Sequence, residues 1–138
     1  MSSLELTLVL VVIGFLTTLG VRGAGSVADR VAVEAAQGSI LNAYRRTQSV
    51  ARAWGRPAEL VVTIDSLVIR VVTPIDTSVL WRAPGPGRDG ISLTPSAHVT
   101  TFGPSGMATG AANVTHLLQR GAVSRRVVVS RLGRVKVG

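Results

Sequence analysis

The chain opens on a long apolar run, and that run limits what the remainder can be. Leu4 to Val21 is 18 residues. As a helix it spans about 27 Å at ~1.5 Å per residue, close to the ~30 Å hydrocarbon core of a bilayer. One carboxylate, Glu5, sits near its start. A charge at the centre of a membrane helix costs about 2.5–3.5 kcal/mol on insertion scales. Glu5 therefore has a task, or it sits at the membrane edge.

Three readings of the run compete. A cleavable secretory signal should open with Lys or Arg, whereas this chain opens with Ser-Ser-Leu-Glu after Met1, and Gly23-Ala24-Gly25 is a weak cleavage candidate. An ordinary single-span anchor is the second. The third is a membrane helix that later packs against copies of itself. Arg22 and Arg30 follow the run and nothing basic precedes it. The positive-inside rule then puts the C-terminal part in the cytoplasm. A basic leader removed ahead of Met1 would reverse that argument.

Of 138 residues, about 110 remain after this segment, enough for one small domain. Cysteine is absent, which excludes disulfides and thiolate metal sites. The net charge is +8 and is uneven: after Asp89 there is no acid, while Arg120, Arg125, Arg126, Arg131, Arg134 and Lys136 follow. Fourteen of the fifteen basic residues are arginine, the side chain suited to bidentate contact with phosphate or carboxylate.

Past the apolar run, Val33, Ala36, Ile40, Ala43, Thr47, Val50 and Trp54 recur at three–four spacing, the mark of a helix with one buried face. Gly55 and Pro57 stop it. The reading is a single helix over about 2–54, able to unwind locally between Gly14 and Gly25, where Gly20 and Gly23 also fall; a fixed kink is the alternative. Each glycine costs a helix interior about 1 kcal/mol. Strands follow: 58–65, 67–73 and 79–82, then extended 91–93 and 98–102. A loop over 83–90 and a small-residue loop over 103–113 separate them. A hairpin of 114–119 with 125–130 and a short 134–137 strand complete the chain. The fold class is α+β: a long N-terminal helix, apolar then amphipathic, packed on a small antiparallel sheet. The parts are a helix over 1–25 and a head over 26–138, the head comprising helix 26–54 and sheet 58–138.

Leu4-Glu5-Leu6 before LVLVVIG and a long helix resembles the N-terminus of type IV pilins and type II secretion pseudopilins. Phe102-Gly103-Pro104-Ser105-Gly106 resembles the F-x-P-x-G turn of the GspH/FimT-like minor branch of that family, and Ser130-Arg131-Leu132-Gly133-Arg134-Val135 its closing strand. Ala51-Arg52-Ala53-Trp54-Gly55-Arg56-Pro57 is similar to that branch's entry into the sheet. The resemblance implies a leader cut before Met1, N-methylation of Met1, and Glu5 meeting the N-terminal amine of a neighbouring subunit. Met1 departs from the usual Phe, and Arg22 stands where many pilins carry proline. It further implies a filament subunit with sibling pilins, a prepilin peptidase and an inner-membrane assembly platform as partners. The subunit would sit in the bacterial inner membrane with its head in the periplasm, then join a periplasmic or extracellular filament. The other reading of Glu5 is a carboxylate complementing the helix dipole.

Motifs for chemistry are weak. Gly85-Pro86-Gly87-Arg88-Asp89-Gly90 fits G-x-G-x-x-G, but no helical pattern follows, so a surface turn is expected and not a dinucleotide site. His98 and His116 are isolated from metal-spaced partners and read as ordinary loop or sheet residues. Asn113-Val114-Thr115 matches a glycosylation sequon, a short pattern common by chance. No nucleophile elbow or carboxylate pair is evident; an enzyme, a cofactor and a metal are not expected.

The basic C-terminus is the sharper lead. Gly133-Arg134-Val135-Lys136 resembles the basic terminus with which some FimT-type minor pilins bind DNA for uptake. Arg125, Arg126, Arg131, Arg134 and Lys136 are the candidate polyanion contacts. Strand alternation puts Arg125 and Arg126 on opposite faces, so the five need not form one patch. No aromatic interleaves with them, which favours duplex phosphate over stacked single strands. Six neutralised phosphates would give a log–log salt slope near −5, at roughly −0.9 per contact. A solvated basic edge that discourages sheet aggregation is the plain alternative.

Overall fold

The computed structural model describes residues 2–110 and 113–138. Met1, the expected processing and methylation site, lies outside them, as do residues 111 and 112 of the expected small-residue loop. One helix, α1 (Ser3–Trp54), runs 52 residues, about 78 Å at ~1.5 Å per residue. Ser2 caps it. The Glu5 N–H donates to Ser2 Oγ at 3.3 Å and the Ser2 N–H donates to Glu5 Oε2 at 3.2 Å, a reciprocal capping box. The helix closes at Gly55, φ 59°, whose N–H reaches the Ala51 and Arg52 carbonyls. Glycine takes that left-handed conformation without the Cβ penalty.

Among the described residues the helix is followed by nine strands in two antiparallel sheets, where one sheet was expected. The first joins β1 (Ala58–Val62), β2 (Ser66–Val72), β3 (Thr77–Pro84), β5 (Val99–Phe102) and β6 (Ala108–Thr109) in the order β3-β2-β1-β5-β6. The second joins β4 (Ser92–Pro95), β7 (Val114–Arg120), β8 (Val123–Val129) and β9 (Val135–Val137) in the order β4-β7-β8-β9. The chain leaves the first sheet through a 3-10 turn at Pro86–Asp89. Pro84 and Pro86 lack the N–H needed to extend a ladder. Two further differences follow from pairing and not propensity. Strand β3 is longer than the expected 79–82 segment because Thr77–Pro84 pairs with β2, with one irregularity at Leu80. Residues 108 and 109, expected in a loop, form β6 because they pair with Phe102 and Thr101.

The helix face that meets both sheets comprises Val33, Ala36, Ile40, Ala43, Tyr44, Thr47, Gln48 and Ala51. Val50 is only partly buried and Trp54 is 56% exposed, contrary to the three–four stripe expected to run through them. Heptad steps drift by about 20° on a 3.6-residue helix. The buried line therefore passes through Tyr44, Gln48 and Ala51. Opposite it stand Ala58, Leu60, Val62, Leu67, Ile69 and Val71 of the first sheet, and Leu118, Val127 and Val129 of the second.

Two buried aromatic groups meet at the centre. Tyr44 packs edge-on against Phe102, ring centroids 5.9 Å apart. Its hydroxyl hydrogen-bonds Thr100 Oγ1 at 3.1 Å and also His116 Nε2. His116, expected as an ordinary loop or sheet-face residue, is fully buried, and its Nδ1 has no partner among the described residues. Burial, and secondarily the charge of His98, push its pKa down to about 4 from 6.5. Burial pushes Tyr44 up to about 12, against a smaller opposing effect of the Thr100 bond, so its hydroxyl stays protonated.

The depressed histidine pKa fixes a sign. Between about pH 6.5 and pH 4 the unfolded chain binds a proton at His116 that the folded chain refuses. The contribution is complete above pH ~6.5 and is lost as the pH falls through the folded value, by up to about 3 kcal/mol. Chemical denaturation across this window should show the loss, and His116→Leu should shrink it. An unchanged profile in that variant would place the pH dependence elsewhere.

Candidate functional site

The apolar half of α1 stands clear of the head. None of its most apolar 18-residue stretch is buried, and it is long and apolar enough to cross a membrane. Phe15 is 69% and Val21 68% exposed. Such a surface needs another apolar surface, lipid or helix, to cover it. Glu5 lies at its tip, engaged only with Ser2 among the described residues. In this single chain the carboxylate thus complements its own helix end. Gly14, Gly20, Gly23 and Gly25 all lie within the continuous helix, and a Cβ at any of them would meet nothing within 4 Å. They are not there to admit a neighbouring element of this chain.

The amphipathic half is fastened to the second sheet along one flank. Asp29 pairs with Arg120 at 3.0 Å and Glu34 with Arg125 at 3.5 Å. Gln37 donates to the Arg126 carbonyl at 3.0 Å, and Gln48 donates to the Gly133 carbonyl. These residues all lie between positions 29 and 48, so the hairpin β7–β8 and the turn before β9 are held along several helical turns.

That placement divides the five basic candidates. Arg125 points toward the helix and is spent on Glu34, whereas Arg126 points outward. Lys136 lies opposite Val128 on the same outer face as Arg126, two residues further along the β8–β9 ladder. Arg131 and Arg134 are exposed in the turn between the two strands, which is closed by the Ser130 N–H to Arg134 carbonyl bond at 2.8 Å. The turn's Gly133 lies against the Gly106 carbonyl, and the Arg52 guanidinium packs over Gly106. The Phe102–Gly106 turn thus joins Arg52 to the Arg131–Arg134 corner. Among the described residues, Arg52, Arg126, Arg131, Arg134 and Lys136 form no ion pair. Arg52 was not visible as a candidate because the contact spans the whole head.

The Gly85–Gly90 stretch is a packed turn and carries no dinucleotide geometry, since strand β4 and no helix follows it. A Cβ on Gly85 would lie 2.6 Å from the Ser66 nitrogen and closer still to the Ile64 carbonyl. Only a glycine tolerates that approach. Asn113 of the sequon is exposed just before β7. His98 hydrogen-bonds the Val62 carbonyl at 3.3 Å through Nδ1. Among the described residues no group of three His, Asp or Glu side chains could hold a metal ion.

No protein-family model and no curated protein sequence matches this chain. Two solved structures share its fold: crystal forms of the type IV minor pilin FimU of Pseudomonas aeruginosa. They superpose with TM-scores of 0.69 and 0.61 at 15% identity, covering 79% of this chain and 90% and 91% of the other. The long N-terminal helix on antiparallel sheets is therefore the pilin fold.

The division of the arginines is testable by stability. Arg120→Ala and Arg125→Ala should each cost about 0.2–1 kcal/mol, the range of exposed ion pairs. Arg131→Ala and Arg134→Ala should lie within about 0.5 kcal/mol of the parent. Equal losses at all four positions would contradict the placement.

Proposed function

We propose that this chain is a pilin-like structural subunit that joins a filament through its N-terminal helix. The observation that carries the reading is the wholly exposed apolar half of α1, continuous with a helix whose other half is the spine of the head. Such a helix is covered first by lipid and then by the helices of sibling subunits. Glu5 is the assembly contact, meeting the amine of a neighbour, and opposite charges attract strongly where water is excluded. A prepilin peptidase and an inner-membrane platform serve it, with Met1 as the processed and methylated residue. The head faces the periplasm before assembly, and the filament is a type IV pilus or a secretion pseudopilus. The fold shared with a minor pilin favours a minor, tip-type place. Local unwinding between Gly14 and Gly25 fits such a helix to a filament, because nothing in the head packs on that stretch.

The test is Glu5→Ala in cells. The variant should insert into the membrane at normal levels and be missing from sheared filaments. Normal incorporation would sink the reading, and failure of membrane insertion would move Glu5 to an earlier step.

A second reading, contact with duplex DNA, is favoured by the corner where Gly106 lies between the Arg52 guanidinium and the turn that carries Arg131 and Arg134. Arg120 and Arg125 are occupied by acids. Four of the C-terminal groups remain, which lowers the expected log–log salt slope from near −5 to about −3.6. Absence of binding at ~50 mM salt would exclude this reading. So would unchanged affinity in Arg131→Ala/Arg134→Ala/Lys136→Ala.

A further inference from the structure

The two flanks of the amphipathic helix are treated differently. One is fastened to the second sheet by the polar contacts of Asp29, Glu34, Gln37 and Gln48. The other stands off from β3 and the turn that follows it, leaving a groove of about 560 Å³. Protein interiors are close-packed, and a gap of this size between a helix and its sheet is within the range of ligand clefts.

The walls of the groove have a definite chemistry. Ile40 and Leu67 supply a buried apolar floor. Ser39 and Asn42 offer small polar groups from the helix. Arg46 lies over the Trp81 ring, its guanidinium carbon 5.3 Å from the ring centroid. Arg88 comes from the 3-10 turn opposite, beside Asp89. Among the described residues neither Arg46 nor Arg88 forms an ion pair. A cation–π contact with an indole restrains a guanidinium while N–H donors stay available. Counting Asp89, the groove carries net +1 (two guanidinium groups less one carboxylate). The turn that bears Arg88 is fixed: Gly85 and Gly87 donate to the Asp65 and Ile64 carbonyls at 2.9 and 2.8 Å. The site is built from rigid elements, as a binding site requires.

From these observations we infer that the groove between α1 and β3 binds an acidic peptide segment of a partner protein, an acidic side chain meeting Arg46 and Arg88 while an apolar neighbour lies against the half-buried Trp81 and Ala83. Charge complementarity selects the occupant. This chain carries +8, so an acidic partner is attracted and a second copy of this chain is repelled. A carboxylate matches the planar fork of an arginine. The groove lies on the helix flank away from Glu34, Gln37 and Gln48; its Asp89 carbonyl accepts a bond from Arg120 at 3.1 Å, and it shares no residue with the Arg131–Arg134 corner. The inference does not rest on filament assembly.

The experiment uses the full chain in uncharged detergent micelles, with Trp54→Phe leaving Trp81 as the sole tryptophan reporter. The probe is the capped peptide acetyl-Glu-Leu-Glu-Leu-Glu-amide, with acetyl-Gln-Leu-Gln-Leu-Gln-amide as control. The acidic peptide should change Trp81 emission saturably, and the amide peptide should not. Arg88→Gln and Arg46→Lys should each weaken binding by about tenfold or more, as expected for loss of a charge-assisted bond. Arg46→Lys keeps the charge and loses only the fork, so its effect separates geometry from charge. Circular dichroism checks that each variant is folded, and Arg131→Ala/Arg134→Ala/Lys136→Ala should leave affinity unchanged. The inference is overturned by equal binding of both peptides or by no saturable change at ~50 mM salt. Loss of binding in the C-terminal variant alone would also overturn it. So would a short DNA duplex that reads on Trp81 and depends on Arg46 and Arg88, which would assign the groove to nucleic-acid phosphate.

Discussion

The head depends on one stripe of side chains on one helix. Val33, Ile40, Ala43, Tyr44 and Ala51 are the surface against which two separate sheets are folded. Strands of both sheets pack against the helix. A residue such as Tyr44 therefore serves both. It packs on Phe102 of β5 and bonds Thr100 of the same strand, while its hydroxyl also reaches His116 on β7. Loss of that hydroxyl would leave buried polar groups on both sheets without partners, which costs more than the bond itself contributes.

Periodicity and punctuation in the sequence reveal the helix, its end at Gly55, the α+β class and most strand positions. They do so because each is a local preference: a three–four stripe, a glycine beside a proline, runs of Val and Ile. The split into two sheets was hidden, since it depends on which strands pair across a long separation. Strand β1 pairs β5 and leaves β4 to β7, and no local signal decides that. Tyr44 and His116 were missed for a related reason. Tyr44 falls beside the simplest spacing, and a single histidine carries no sign of its own burial.

Among the candidate contacts, Glu5 is legible because an acid in an apolar run is rare. The C-terminal arginines are legible only as a group. Their sorting comes from three-dimensional neighbours: Asp29 and Glu34 neutralise Arg120 and Arg125 from about ninety residues earlier in the chain. Net charge by segment overstates what a basic tail can offer to a ligand, because part of it is consumed in holding the head together. The pair of Arg46 and Trp81 was equally hidden, since a cation–π contact between a helix and an edge strand leaves no trace in spacing.

The reciprocal bonds between Ser2 and Glu5 alter how any later contact at that carboxylate is to be weighed. The group already has a donor, supplied by its own chain, at the end of a helix whose peptide dipoles favour negative charge there. A carboxylate has acceptor positions to spare, and among the described residues only one of its oxygens is engaged, by one neutral N–H. A cation arriving at Glu5 would therefore add to the capping bond and not displace it. The helix end is built to keep its own cap and to hold a second donor at the same time.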